Sequence, residues 1–382
     1  MIGDNVKDNV NFMISFLKKI DIYLQVKLLN KIDSRVWKFS KDEFDAYLLY
    51  KRYDKDLVNK FYPHIDADGL KDDKPEDIFL MEQFMAYVYK FEQKMMVEPL
   101  YGWAIPGKFE VFKRSFPYVS DIWDKNKRKP SLVNYLLPKK VIEIDSCIPI
   151  RYYWQNYYHF FIDTLSQVYI AKDKVPADVP ILVPYFFNEI KYVTEFLKES
   201  DFLSGRKIIV QKKDEYYSVK NLFLCKDTFY SDSIFEVVTS FGDMAHREKG
   251  EGRKIFLKRS KDRLRAIINT EEIEQAAAAA GFEIKDAEGM SLKEQVLLFA
   301  NTASIIGIHG AGLTNIIFRD RKPLKVLEIF PADTRPDHYR HICTMFNYGY
   351  DCIYGSNREM NHNERFYLDP NLFKEKLSAF AG

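Results

Sequence analysis

Cysteine is scarce. The chain of 382 residues carries four, Cys147, Cys225, Cys343 and Cys352, and none stands in C-x-x-C spacing. That excludes a disulfide framework and a thiolate zinc site, and it fits a reducing compartment. Net charge is also small, +2 against 57 basic and 55 acidic residues, so nothing in the charge balance calls for nucleic acid. The one concentrated basic run, Lys125-Asn126-Lys127-Arg128-Lys129, reads as a solvated loop before Pro130, with contact to an anionic membrane or glycan as the alternative. Long apolar runs are missing too. The most apolar early stretch, Phe12 to Leu29, is broken by Lys18, Lys19, Asp21 and Lys27. It therefore reads as an amphipathic helix, for core packing or for a membrane surface, and not as a span. No secretory signal is legible, so a cytoplasmic location, at most peripheral at the inner membrane face, is the expectation.

What is present is globular: 47% hydrophobic and 15% aromatic residues, with 30 Phe and 25 Tyr. The length favours two domains over one core. The first third reads as helical, with candidate helices near 9–30, 41–60 and 75–96. The polar stretch between the last two contains Asp66-Ala67-Asp68, formally a D-x-D that a metal-bound diphosphate could use. It sits among turn residues with no strand before it, and no metal is expected.

From Val141 the pattern changes to strands alternating with helices, which predicts a parallel α/β sheet. Strands are expected at Val141–Asp145, Pro180–Pro184, Lys207–Gln211 and Val219–Cys225, and helices at Trp154–Ala171, Phe187–Lys198 and 231–246. The charged, glycine-bearing segment Arg247–Arg253 reads as a linker. The alternation then restarts: strands at Lys254–Lys258, Phe282–Lys285, Ser304–Ile308, Lys325–Phe330 and 351–354, with helices between them and a last helix at 370–380. Asn269 with Glu272, and Ser291 with Glu294, have capping-box spacing, and Gly281 is placed to end the helix that Asn269 opens. The predicted organisation is a helical N-terminal region (1–135), a Rossmann-like acceptor domain (136–248) and a Rossmann-like nucleotide-binding domain (249–382). The two Rossmann-like domains would face each other across a cleft, and the last helix would pack back on the N-terminal one.

The sharpest local signal is Gly307-Ile308-His309-Gly310-Ala311-Gly312-Leu313-Thr314-Asn315. A strand feeding a glycine-rich turn into a helix gathers free N–H groups and the positive helix end, which suits a phosphate or diphosphate. Gly310 and Gly312 permit close backbone approach, and Thr314 or Asn315 can add side-chain hydrogen bonds. A tight βα turn with His309 filling a polar notch is the plainer alternative. The basic cluster Lys258–Arg265 stands at the end of this domain's first strand, so Arg259 and Arg265 are expected near the same crevice. Guanidinium groups suit a diphosphate because they stay charged and bind oxygens in pairs. Glu328, near the end of its strand, could hold a ribose diol or staple a loop. In the first domain, His159 and Asp163 are four apart and share a face on a regular helix. Such a pair could supply a general base or be a structural hydrogen bond.

These segments resemble glycosyltransferase family 61. The run His309–Asn315 followed by Val326-Leu-Glu-Ile-Phe-Pro331, the stretch Asn156–Asp163 (N-Y-Y-H-F-F-I-D), Arg259-Ser260 with Arg265-Ala-Ile-Ile-Asn269, and Glu294-Gln295 before a hydrophobic helix match in order and spacing. Lys258 and Thr270 depart from the family's usual Ser and Glu. The resemblance covers about residues 140–355. It implies an inverting, metal-independent transferase of GT-B-like α/β fold, a hexosyl- or pentosyltransferase needing no cofactor. It would use a nucleoside-diphosphate sugar, UDP-sugar favoured, and a glycan or lipid-linked glycan acceptor of the capsule or lipopolysaccharide kind. By that resemblance Arg259, Arg265, Asn269 and the turn His309, Gly310, Ala311, Gly312, Thr314 and Asn315 would hold the donor. Glu328 would sit near its ribose, with Asp163 as base assisted by His159, or the reverse. Other readings of the same pattern are a two-domain nucleotide-sugar epimerase, an NAD-dependent oxidoreductase, and a non-catalytic glycan-binding relative. The glycine turn is not G-x-G-x-x-G, which counts against the oxidoreductase.

Overall fold

The computed structural model describes residues 36–39, 47–71, 74–115, 130–152, 155–242, 252–260, 263–331, 336–355 and 365–381. The predicted helix at 9–30, the basic run at 125–129 and most of the linker segment lie outside them. The fold is mixed α/β, and the chain divides into two compact units. One comprises residues 1–155, 163–190 and 203–229, and the other 156–162, 191–202 and 230–382.

In the first unit, β1 (Lys38–Phe39) pairs in parallel with β6 (Glu110–Val111). The main sheet contains β2 (Leu48–Tyr53), β3 (Met85–Phe91), β4 (Met95–Val97), β5 (Ala104–Ile105), β7 (Lys140–Pro149), β8 (Ile181–Val183), β9 (Ile208–Val210) and β10 (Glu215–Lys226). Its order is β2-β3-β10-β7-β8-β9, with β4 also on β10 and β5 on β4. The run β10-β7-β8-β9 is parallel as predicted, whereas β2, β3 and β4 join antiparallel. The helices expected at 41–60 and 75–96 are thus corrected. Each contains a strand, next to the short helices Lys55–Phe61 and Pro75–Gln83. The reason is visible in Met85–Phe91, a β-prone alternation of Tyr, Val and Phe that is almost wholly buried. Tyr87, Tyr89 and Phe91 meet Leu222 and Leu224 on one face, while Ala86 and Val88 meet Phe223, Cys225 and the helix residues Ile170 and Ala171 on the other.

The helix around residues 157–174 changes type along its length. It is α-helical at Tyr157–His159, π-helical at Phe160–Thr164 and α-helical again at Leu165–Lys174. The boundary between the units falls inside it, between Ile162 and Asp163.

The second unit contains a five-stranded, wholly parallel sheet: β11 (Arg253–Leu257), β12 (Glu283–Lys285), β13 (Thr302–Ile308), β14 (Lys325–Phe330) and β15 (Gly349–Tyr354). Their order is β12-β11-β13-β14-β15. This is the doubly wound order 2-1-3-4-5, whose switch point lies between the first and third strands. Side chains alternate across the sheet. Phe256, Ile306, Ile308, Leu327, Ile329 and Ile353 pack on one side against Ile273, Ala277, Phe373 and Leu377 of the helices Thr270–Ala279 and Pro370–Ala381. The alternate residues, among them Leu257, Gly307, Glu328 and Tyr350, face the other side. Helix Thr270–Ala279 ends where Gly281 takes a φ of +83°, the left-handed stop read from the sequence. The capping box at Ser291 and Glu294 forms. The one at Asn269 does not, because its side chain instead binds both backbone groups of Leu368, at 2.9 and 3.2 Å.

Candidate functional site

The switch point of the parallel sheet is built from the residues that follow β11 and β13. After β13, His309 N–H donates to the Ile329 carbonyl at 2.8 Å, so the ladder runs one residue beyond the strand. Gly310 is extended, and Ala311–Arg319 then forms a 3₁₀ helix. Nine residues is long for that helix type, whose runs are usually short. Its first turn leaves backbone N–H groups without helical partners. Leu313 to Phe318 are buried, whereas Ala311 is half-buried and Gly312 exposed. Space is tight where the turn meets its neighbours. A Cβ on Gly307 would lie 2.7 Å from Leu313, and one on Gly310 would lie 2.5 Å from Arg259 Nη1.

Both arginines reach this turn. Arg265 Nη1 donates to the His309 carbonyl at 3.1 Å, and Arg259 Nε donates to the Leu264 carbonyl at 2.6 Å, closing the loop between them. The Arg259 guanidinium is pushed below its ordinary pKa by burial, then by the like charges of Arg265 and Arg263. Among the described residues no carboxylate forms an ion pair with Arg259 or Arg265. Arg265 Nε is buried without a hydrogen-bond partner among those residues. Arg265 also holds a φ of +65°, a left-handed conformation that costs a non-glycine residue free energy. Two crowded cations, one unused donor and a left-handed backbone thus meet at this turn.

Behind the turn stands a buried polar layer. His309 Nδ1 and Glu328 Oε1 are 2.5 Å apart, and Tyr350 donates to Glu328 Oε2 at 2.6 Å. Glu328 is wholly buried, and burial pushes its carboxyl up to about 8. The His309 ring stacks on Phe330 at 5.2 Å, and Tyr339 donates to the Gly310 carbonyl at 2.6 Å. Thr314 is fully buried. Asn315 is equally buried and its amide is committed: Nδ2 donates to Gln295 Oε1 (2.9 Å) and Gly312 O (3.0 Å), and Oδ1 accepts from Tyr157 (2.6 Å).

Of the residues singled out in the sequence, Arg259, Arg265, His309, Gly310, Ala311 and Gly312 come together at one turn. Thr314, Asn315 and Glu328 lie beneath it, with the oxygens of Glu328 occupied within the protein. Asn269 stands apart, pinned to Leu368 at the start of its helix. His159 closes the first turn of its helix, where its N–H is capped by Asn156 Oδ1 at 3.0 Å. Asp163 is buried in the π-helical stretch. Its carbonyl accepts from Ser166 Oγ (2.8 Å) and Gln167 Nε2 (3.3 Å), and Gln167 is in turn bound to Arg151. Sequence reasoning missed Tyr157, Tyr339 and Tyr350 as individual residues. Tyr157 lay inside a noted motif. Tyr339, on the helix after β14, carried no signal beyond that position.

The D-x-D acids are engaged locally. Asp66 Oδ1 accepts from the Asp68 N–H at 3.0 Å, and Asp68 pairs with Lys55. Among the described residues no group of three or more His, Cys, Asp or Glu side chains is gathered as a metal site would be.

Residues 157–327 match the family described as Glycosyltransferase 61. Over that span the chain is similar to glycosyltransferase family 61. The span begins at Tyr157, takes in both arginines and the glycine turn, and ends at Leu327, one residue before Glu328. The chain is thus related to glycosyltransferases, enzymes that bind a sugar donor and an acceptor. No curated protein matches it. Among the described residues no helix is long and apolar enough to cross a membrane.

Proposed function

We propose that this chain is a glycosyltransferase of family 61, an inverting, metal-independent enzyme of GT-B type. It moves a hexosyl or pentosyl group from a nucleoside-diphosphate sugar, UDP-sugar favoured, to a hydroxyl of a capsule- or lipopolysaccharide-type glycan. The observation that carries this reading is the convergence of Arg259 and Arg265 on the glycine turn at the switch point of a parallel sheet. In the reaction, the acceptor oxygen bonds to the anomeric carbon as that carbon's bond to the diphosphate oxygen breaks. The electron pair leaves on the diphosphate, where Arg259, Arg265 and the turn's N–H groups stabilise the developing charge. The acceptor proton passes to Asp163 or His159. Thr314 and Asn315 shape the turn from below, Asn269 fixes the segment that follows Arg265, and Glu328 serves the donor side through His309. The protein works in the cytoplasm, with peripheral contact at the inner membrane face where the acceptor is lipid-linked.

The test is a thermal-shift comparison with UDP-, GDP-, CMP- and dTDP-sugars and NAD(H), with and without EDTA. A ligand at a hundred times its dissociation constant adds about 2.7 kcal/mol to stability. Stabilisation by one nucleotide-sugar, unchanged by EDTA, is the expected result. Stabilisation by NAD(H) alone would overturn the reading.

A further inference from the structure

His309 and Glu328 lie on the same side of the parallel sheet, at the end of β13 and within β14, and both β13 and β15 flank β14. No part of Glu328 reaches solvent. An ionised carboxylate in that place would keep a full negative charge in a site from which water is excluded, and Asp337 nearby opposes it further. As a neutral acid, Glu328 satisfies every atom it has. In that state a hydroxyl on Oε1 can donate to His309 Nδ1, 2.5 Å away, while Oε2 accepts from Tyr350. A neutral imidazole whose Nδ1 accepts a hydrogen bond must carry its own hydrogen on Nε2. Phe330 stacked on the ring at 20° and Tyr339 at 5.4 Å hold the ring plane, so the tautomer also has a direction.

We propose that Glu328, with Tyr350 behind it, is a positioning residue that holds His309 with its proton on Nε2. The imidazole is then a hydrogen-bond donor to a phosphate oxygen of the donor substrate, and not a base. The phosphate ligand rests on the nucleotide-sugar reading above, whereas the tautomer does not. A neutral histidine donor suits this place. Arg259 and Arg265 already supply two full charges at the turn, and a third cation would add to the crowding that burial and like charge impose on Arg259. The assignment also frees His309 from proton transfer, leaving that step to His159 or Asp163.

The test uses the full-length protein labelled with ¹⁵N-histidine. The His309 signals are assigned by their loss in His309→Gln, and nitrogen–proton spectra are recorded at pH 7. The wild type should show the Nε2-protonated pattern, and the Nδ1-protonated form in its place would overturn the proposal without any variant. Glu328→Gln should keep the pattern, because its amide can donate to Nδ1 while its oxygen accepts from Tyr350. Glu328→Leu should lose it. In binding measurements, UDP affinity should fall tenfold or more in Glu328→Leu and less than threefold in Glu328→Gln, with uridine affinity moving little in either. Equal losses in the two variants would show that the carboxylate charge is what matters, and would sink the idea. Should UDP fail to bind even the wild type, the nucleotide reading fails while the spectra still decide the tautomer.

Discussion

Tyr157 Oη donates to Asn315 Oδ1 at 2.6 Å, tying the first turn of one helix to the buried centre of another 158 residues further along the chain. Three of the segments that mark the family meet there, since the same Asn315 amide also holds Gln295 and the Gly312 carbonyl. Tyr157→Phe removes the donor and keeps the ring, which packs on Phe161 and Tyr192. A buried acceptor left unpaired costs about 1–3 kcal/mol. Thermal unfolding should therefore drop by several degrees, and UDP binding should weaken because the turn loses one of its restraints. A variant as stable as the wild type would mean that this bond is not maintained in solution.

Arg259→Ala tests the anion site directly. Charge-assisted hydrogen bonds to phosphate are worth about 1.5–3 kcal/mol, which is on the order of ten- to a hundredfold in affinity. Titration calorimetry should show that loss for UDP and almost none for uridine, which lacks the diphosphate. Equal losses for both would remove Arg259 from the diphosphate.

Much of the second unit could be read in advance because its signals are local. Lys325–Phe330 is a strand at the residues predicted, and Gly281 and the Ser291–Glu294 box mark helix ends within a few residues of themselves. The meeting of Arg259 and Arg265 with the glycine turn was also accessible, since residues at the ends of neighbouring parallel strands must lie together. The partners of Glu328 were not. They depend on the register of β13 against β14, which sets Gly307 opposite Glu328 and so brings His309 within reach of it. Asn269 had the spacing of a cap, but Leu368, 99 residues later, offers its amide two bonds at once. Met85–Phe91 was missed for a similar reason. Its place as a strand is decided by β10, over a hundred residues away.

Arg265 offers a test that separates backbone from side chain. Its φ of +65° is costly for any residue with a Cβ and free for glycine. Arg265→Gly and Arg265→Ala should both weaken UDP binding, since each removes the guanidinium. They should differ in stability, with glycine favoured by roughly 1 kcal/mol, which is about 2–4 °C for a unit of ordinary size. An alanine variant as stable as the glycine one would show that the loop relaxes out of the left-handed conformation.

The buried carboxyl of Glu328 makes stability depend on pH. Burial raises its pKa from 4.5 to about 8, so the folded protein binds a proton that the unfolded chain releases above 4.5. Its contribution is complete below pH 4.5 and is lost as pH rises through about 8. The slope is at most about 1.4 kcal/mol per pH unit. Unfolding temperatures of wild type and Glu328→Gln, compared at pH 5 and pH 8, should show the wild type losing more on the alkaline side. Parallel curves would mean that Glu328 is ionised throughout.

The choice of base is tested by Asp163→Asn beside His159→Ala. Asp163 is buried, and its backbone is pinned independently of its carboxyl, because Ser166 and Gln167 both donate to its carbonyl. Asparagine keeps the size and those restraints while losing the proton acceptor. General-base catalysis is worth about 10²–10⁴ in rate, so turnover should fall by that factor with UDP affinity held. His159 lies on the other side of the unit boundary, in the helical turn that also carries Tyr157, so its replacement must be checked against UDP binding as well. If Asp163→Asn loses turnover by that factor and His159→Ala by much less, the carboxylate takes the proton. The opposite ranking assigns it to the imidazole. Loss of nucleotide binding or of the fold in Asp163→Asn would remove Asp163 from the chemistry altogether.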